Sequence, residues 1–182
     1  MKTAKIISNE DAAKILSHMK NTADKLIFRL SVETGLRISD ILELRAGYLD
    51  RKMYVVEKKT GKIRIVEISE ELMRDLQSRK DYALKKGEPE NYAFPSTRTR
   101  EKHLHRSTYH RRLKRAAASA CVDCSAHSGR KLYAKNIFSE KKSIFDVQEA
   151  LNHKYITTTA PYLGVNINEL LLMWIEQQKN NK

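Results

Sequence analysis

Apolar residues recur every three or four positions through most of this chain, which is the period of an amphipathic helix. Ser8 precedes the first such stretch and is followed by acidic residues, a pattern typical of a helix N-terminus. Glycines end two later stretches. The pattern predicts helices that begin after Ser8, end at Gly35, begin near Ile38, run from Ser69 to about Lys86, and lie near 106–119, 128–138, 143–152 and 166–178.

A different pattern lies between the third and fourth predicted helices. Residues 53–56 and 63–68 are rich in Tyr, Val and Ile, as strands are, and Gly61 stands in the segment between them. Two such runs joined by a short glycine-containing turn predict a β-hairpin. The expected fold class is therefore mainly α with a small antiparallel β-hairpin, an α+β arrangement.

The composition is that of one globular domain. The chain has 182 residues, 41% of them hydrophobic, and only 6 Gly and 3 Pro, which favours helix. No apolar run approaches the length of a transmembrane helix, and residues 1–7 lack the core of a signal peptide. Two cysteines in a chain without an export signal predict a reducing, cytoplasmic setting.

Charge points to a partner. The net charge is +13, and residues 95–142 hold 13 Lys and Arg against 3 Asp and Glu. This concentration predicts contact with nucleic acid, a merely basic surface being the alternative. Membrane-surface binding is disfavoured because the segment lacks an apolar opposite face. The helix near 106–119 is the best candidate to contact nucleic acid, and Tyr109 is expected at its front. The contacts are expected from Arg106, Thr108, Arg111, Arg112, Lys114 and Arg115.

Two short motifs suggest phosphate chemistry in the first half of the chain. Arg37 follows Gly35 at a predicted helix start, where a guanidinium and free backbone N–H groups suit phosphate oxygens. Asp40 lies one turn further and is expected to support a basic neighbour, although a surface Arg–Asp pair is the plain alternative. The predicted hairpin turn carries a cluster of cations, Lys58, Lys59, Lys62 and Arg64. Lys59 can reach into a cleft and donate a proton, unless the cluster only protects a strand edge.

Two further motifs lie in the second half. His127 and Arg130 are three residues apart, so they fall on one helix face and can bind one phosphate together. Tyr162 follows His153 by nine residues, across a Thr-rich turn. A phenol, with a pKa near 10, is a weak nucleophile that needs cations or a base nearby. These residues together suit phosphodiester cleavage.

In these motifs the chain resembles the catalytic domain of the tyrosine recombinases, the phage-integrase family. Thr-Gly-Leu-Arg-Ile-Ser-Asp, ending at Asp40, is similar to the family's first arginine box. Lys-Thr-Gly-Lys places Lys59 at the catalytic lysine position, and His127-x-x-Arg130 is similar to the second box. Leu-Asn-His followed by Tyr162 is similar to the last box. The resemblance runs from about residue 8 to residue 175, with order and spacing kept.

Three positions depart from the family pattern. The family usually has Leu before the second box arginine and His after it, where this chain has Gly129 and Lys131. It usually has Gly before the last histidine, where this chain has Asn152. None of these changes removes a group with a catalytic role, so they indicate a divergent member.

The resemblance implies a mechanism. Arg37 and Arg130 clamp the scissile phosphate, and Tyr162 attacks it to give a 3′-phosphotyrosine. Lys59 protonates the leaving 5′-oxygen. His127 accepts the proton of the phenol, His153 hydrogen-bonds a phosphate oxygen, and Asp40 supports the cluster.

The resemblance also implies a reaction without metal, ATP or cofactor. Cys121 and Cys124, with His127, offer three ligands of a zinc site, but a second pair is missing and His127 belongs to the recombinase box. We therefore expect no metal and two incidental thiols.

Length limits the prediction. The first box is so early that residues 1–182 are expected to form a single catalytic domain without the family's N-terminal clamp domain, as a fragment or as a short member. The expected partners are double-stranded DNA near the nucleoid and other copies of the chain, with the apolar helix 166–178 as docking element. A catalytically weak or inactive DNA-binding regulator and a type IB topoisomerase-like enzyme are the alternatives.

Overall fold

The computed structural model describes residues 5–164 apart from 97 and 100, together with 166, 168, 169, 172 and 175. The chain folds into helices around a two-stranded antiparallel sheet. In chain order the elements are α1 (Asn9–His18), α2 (Thr22–Thr34), α3 (Ile38–Leu42), β1 (Lys52–Val56), β2 (Ile63–Glu67), α4 (Glu70–Lys85), α5 (Arg106–Ser119), α6 (Ser128–Lys141), α7 (Ile144–Ala150) and α8 (Ala160–Leu163), with 3₁₀ turns at Ala46–Tyr48 and Ile156–Thr158. The predicted fold class is confirmed.

Helix ends follow the capping residues seen in the sequence. Ser8 and Asp11 form a reciprocal capping box at the start of α1, and the Ser69 hydroxyl accepts the Leu72 N–H at the start of α4. Gly35 ends α2 with φ 61°, in the left-handed region. The predicted helix 166–178 lies mostly outside the described residues. Among the described residues, no helix is long and apolar enough to cross a membrane.

Helix α2 lies at the centre of the packing. It contacts α3, α4, α5 and α6, and it buries Leu26, Ile27, Phe28 and Leu30. Helix α6 in turn contacts α7 and α8, which holds the last third of the chain against the first arginine motif. Since α3 starts where α2 ends, this packing brings residues far apart in sequence to one end of α2.

The hairpin buries one face and exposes the other. Met53 and Val55 of β1 are buried, and so are Arg64 and Val66 of β2. We expected Arg64 to belong to the cationic turn, but this was wrong: strand alternation points it inward. Its Nη2 donates a hydrogen bond to the Thr34 carbonyl oxygen at the end of α2, which ties the sheet to that helix.

Candidate active site

A cavity of about 500 Å³ opens where α3, the hairpin turn, α5, α6 and α8 meet. Of the six residues that the sequence selects, Arg37, Lys59, His127, His153 and Tyr162 line this cavity, and Arg130 contacts the last two from behind. The other lining residues are Ile38, Ser39, Thr60, Arg106, Ala126, Asn152, Lys154 and Thr158. Five segments of chain thus supply one polar, strongly cationic site.

Arg37 is the N-cap residue of α3, and its side chain is 16% exposed. Its Nη1 lies 2.9 Å from Glu57 Oε1 and 4.0 Å from Asp40 Oδ2. The closer contact is an ion pair without the alignment of a hydrogen bond, and within the described part of the chain Nη1 has no hydrogen-bond partner. The guanidinium is therefore held by charge at the edge of the cavity.

The two lysines of the hairpin turn have different environments. Lys58 Nζ lies 2.6 Å from Glu43 Oε1, a hydrogen bond that raises the pKa of Lys58 and lowers that of Glu43. The Lys58 backbone N–H donates to Asp40 Oδ1 at 3.1 Å, so Asp40 fixes the turn against α3. Lys59 lines the cavity and forms no ion pair with any described residue. The structure therefore separates a bound lysine from an available one.

Arg130 is 1% exposed and held by the backbone. It donates through Nη1 to the Gly35 carbonyl oxygen and through Nη2 to the Leu151 carbonyl oxygen at 2.8 Å. Burial, and then the charge of Arg37, lowers the pKa of Arg130 to about 10, so it stays charged at neutral pH. Its Nε is buried and has no hydrogen-bond partner among the described residues, which leaves one donor unused.

His153 is held between Arg130 and Thr159. Arg130 Nη2 lies 3.2 Å from His153 Nε2, and the other ring nitrogen, Nδ1, lies 3.1 Å from Thr159 Oγ1. Because Arg130 can only donate, Nε2 is the acceptor and the proton is on Nδ1. Burial, followed by the charge of Arg130, lowers the pKa of His153 to about 4. His153 is therefore neutral over the physiological range.

His127 is the N-cap residue of α6 and is half-buried. Burial lowers its pKa, and the charges of Arg106 and Arg130 lower it further. A histidine in this state is uncharged at neutral pH and keeps a free basic nitrogen, as a proton acceptor requires.

Tyr162 lies on the short helix α8. The sequence pattern did not predict a helix in this segment. Its ring centroid is 5.1 Å from that of His153, edge to face, and 5.7 Å from Arg130 Cζ. The phenol thus shares one cavity with the cations of its own chain.

Known proteins are similar to this chain. A sequence profile described as "Phage integrase family" matches residues 5–169. The chain belongs to this family. It is 33% identical over 152 residues to "Probable integrase/recombinase YoeC" of Bacillus subtilis (strain 168), covering 81% of this chain and 80% of that protein. It is 30% identical to "Tyrosine recombinase XerA" of Thermococcus kodakarensis, covering 91% of this chain and 60% of the relative.

Solved structures show the same fold. The crystal structure of XerA recombinase aligns with a TM-score of 0.73 at 23% identity, over 94% of this chain and 63% of that one. XerH recombinase bound to palindromic difH substrate aligns with a TM-score of 0.71 at 19% identity, over 93% of this chain and 52% of that one. This chain spans little more than half the length of most of the curated Xer relatives it matches.

Three side chains of this family site were not predicted from the sequence. Glu57 pairs with Arg37, Thr159 Oγ1 accepts a hydrogen bond from His153 Nδ1, and Asn152 Nδ2 donates to Glu57 Oε2 at 3.2 Å. Only Asn152 carried a signal, since it stands where the family usually has Gly. It has φ 53°, in the left-handed region that Asn tolerates better than most residues.

The predicted nucleic-acid helix has a different surface from the one expected. Tyr109, expected at its front, is fully buried. Arg112 pairs with Asp24 at 3.5 Å and Lys114 with Asp123 at 3.2 Å, while Thr108 is half-buried. Arg106, Arg111 and Arg115 are exposed, and Arg106 also lines the cavity. Exposed cations therefore continue outward from the site along α5.

The cysteine pair lies at the end of α5. Cys124 is buried and Cys121 exposed, and burial raises the pKa of Cys124 to about 11. In the described segments, no three His, Cys, Asp or Glu side chains are grouped so as to hold a metal ion.

Proposed function

We propose that this chain is a site-specific recombinase that cuts and rejoins double-stranded DNA through a 3′-phosphotyrosine intermediate. The observation that carries the proposal is that the guanidinium of Arg37 and the phenol of Tyr162 line the same cavity. That space can take a phosphate group between them.

The phosphate is bound first by cations. Arg37 supplies a fork of donors that matches two phosphate oxygens, and it sits at a helix start. Arg130, fixed by two carbonyl groups, supplies a nearby charge. Neutral His153 accepts from Arg130 through Nε2 in this arrangement, and its other tautomer, with the proton on Nε2, donates to a phosphate oxygen. Charges held in place before reaction stabilise the negative charge that grows in the transition state.

Proton transfer is divided between two groups. The Tyr162 oxygen attacks phosphorus while its proton passes to His127, which is neutral because burial and neighbouring arginines lower its pKa. The bond from phosphorus to the 5′-oxygen breaks, and Lys59 gives a proton to that oxygen. The phosphotyrosine ester conserves the free energy of the broken phosphodiester bond, which the 5′-hydroxyl uses when the strand is rejoined. The proposed reaction therefore needs no metal and no nucleotide.

DNA binding is proposed to extend along α5. Its exposed arginines can neutralise backbone phosphates beside the cavity. XerH in the related solved structure is bound to palindromic difH substrate, and another neighbour is a λ integrase dimer bound to a COC′ core site. We propose that copies of this chain also assemble on DNA, with residues 1–182 acting as a catalytic domain and the segment 166–178, predicted from the sequence as an apolar helix, as the docking element.

The test is covalent trapping on a nicked suicide substrate carrying the chain's own recombination site. The wild-type chain should form a protein–DNA adduct that survives denaturation and EDTA. Tyr162→Phe should form none while its DNA affinity changes less than about threefold, because one hydroxyl group is removed from a large contact surface. Tyr155→Phe is the matched control, since Tyr155 is exposed and outside the cavity lining.

The alternatives give different outcomes. Binding without any adduct would make the chain a regulator and refute the proposal. Relaxation of supercoiled DNA without exchange between two sites would indicate a topoisomerase-like activity instead.

A further inference from the structure

Glu57 is a buried carboxylate to which the proposed mechanism gives no task. It follows β1 directly, and its side chain is fully buried. An ionised carboxylate is rarely buried without cations or several hydrogen bonds, because leaving water costs much free energy. Its surroundings therefore explain why it is tolerated.

Glu57 contacts three separate segments of the chain. Oε1 forms the 2.9 Å ion pair with Arg37. Oε2 accepts two hydrogen bonds, from Thr60 Oγ1 at 3.0 Å and from Asn152 Nδ2 at 3.2 Å. Arg37 is itself a proposed phosphate ligand, Thr60 follows Lys59, and Asn152 precedes His153. One carboxylate thus contacts one proposed catalytic group directly and the sequence neighbours of two others.

The backbone of Glu57 also builds the turn that carries Lys59. Its N–H donates to the Lys62 carbonyl oxygen at 2.9 Å, and its own carbonyl oxygen accepts from Thr60 at 3.2 Å and Gly61 at 2.8 Å. Side chain and backbone of one residue therefore fix both the shape of the turn and its distance from α3.

Asn152 supplies the amide that reaches Glu57 from the far segment. Its φ of 53° suits glycine, and Asn is one of the few other residues that adopt it readily. Glycine would satisfy the backbone but would offer no amide to Glu57. The exchange of Gly for Asn therefore adds a hydrogen bond across 95 residues of sequence.

We propose that Glu57 is a positioning residue that holds Arg37, the Lys59 turn and the His153 loop in one arrangement, and that Asn152 serves this contact. The inference rests on the proposed recombinase function. Its physical basis is that transition-state stabilisation depends steeply on geometry: a displacement of about 1 Å can slow a reaction about 100-fold.

The experiment measures single-turnover adduct formation on the suicide substrate at saturating protein, well below the melting temperature. Glu57→Ala should slow the rate constant about 100-fold. Glu57→Gln, which keeps an acceptor for Asn152 but loses the charge that holds Arg37, should slow it about tenfold. DNA affinity, measured by anisotropy, should change less than about threefold, since Glu57 is buried behind the phosphate ligands.

Asn152→Gly keeps the backbone conformation and removes only the amide. It should slow the reaction about three- to tenfold, and Glu57→Ala/Asn152→Gly should be no slower than Glu57→Ala, because the two side chains act through one contact. Glu67→Gln is the control, an exposed carboxylate at the far end of β2 whose loss should leave the rate unchanged.

The outcomes separate two failures. No adduct from the wild-type chain would overturn the proposed function, and with it this inference. A reactive wild-type chain with Glu57→Gln and Glu57→Ala at the wild-type rate would overturn the positioning role alone. A lower melting temperature with an unchanged rate constant in the folded fraction would also overturn it, since that is the signature of a merely structural residue.

Discussion

Gly35 belongs to the first arginine box, and its carbonyl oxygen holds Arg130 of the second box. Gly35→Ala is therefore expected to disturb both boxes. The residue has φ 61°, and its carbonyl oxygen accepts a hydrogen bond from Arg130. A Cβ at this position would lie 2.8 Å from Tyr133 Cε1 and 2.9 Å from Cγ, and closer still to Cδ1. The new methyl group therefore clashes with one edge of the Tyr133 ring, including Cγ, and a small rotation of the ring does not remove the clash.

The cost has two parts that a matched variant separates. Placing Ala in the left-handed region costs about 1 kcal/mol. Overpacking against the ring adds about 1–3 kcal/mol, so Gly35→Ala should lower the free energy of unfolding by about 2–4 kcal/mol. Gly87 has φ 69° and nothing within 4 Å of its added Cβ. Gly87→Ala should therefore cost about 1 kcal/mol, and any effect on the unfolded chain cancels in the comparison.

Urea unfolding of both variants measures the difference. Tyr133→Ala supplies the background in which Gly35→Ala should cost no more than Gly87→Ala. Adduct formation should fall only for Gly35→Ala, because its carbonyl oxygen orients Arg130. Equal unfolding costs for the two glycine variants in the wild-type background would refute the role of the ring contact.

Three other predictions concern charge. Because the pKa of His153 is lowered to about 4 and that of His127 also lies below its ordinary value, the unfolded chain binds more protons in this range. The free energy of unfolding should therefore fall as pH drops from about 6.5 to about 4, by about 2 kcal/mol; urea titrations at constant ionic strength measure it, and a flat profile would contradict the lowered pKa values. Arg111→Ala should reduce the log–log salt slope of DNA affinity by about 1, whereas an unchanged slope would remove α5 from the interface. Lys59→Ala should slow cleavage about 10²–10⁴-fold. Its rate should recover on a substrate with sulfur at the bridging 5′ position, because a thiolate leaves without a proton donor. Lys58→Ala is the control and should cleave the ordinary substrate at the wild-type rate.

The sequence predicted the parts of the fold that local patterns determine. Ser8, Ser69 and Gly35 mark helix ends through their own backbone and side-chain preferences, and the structure has helix ends at these residues. The hairpin follows from strand composition and one glycine. Helix α8 was not predicted, because a four-residue helix after a Thr-rich segment has too few positions to show a period.

The site was predictable residue by residue but not contact by contact. Family motifs select Arg37 and Tyr162, and the structure places both at one cavity. The partners of those residues have no local signature. Glu57 reads as an ordinary strand-end acid, and its importance depends on Asn152, 95 positions away. Strand alternation would have placed Arg64 inside, and a buried arginine at a core position was the signal overlooked.

Burial first, and then the excess of positive charge, explains why His127 and His153 are neutral. Arg37 and Arg130 lie close together with little solvent, and their charges, added to burial, lower the pKa of His153 to about 4. Among the described residues, Asp40 and Glu57 are the carboxylates within 4.0 Å of the Arg37 guanidinium, and they offset this field in part. A fully compensated site would hold the arginines as closed ion pairs and leave no attraction for a phosphate. An uncompensated site would be hard to fold, since like charges repel strongly away from water. The observed balance keeps a net positive cavity with uncharged proton carriers, the condition that an anionic phosphate and a phenol nucleophile both require.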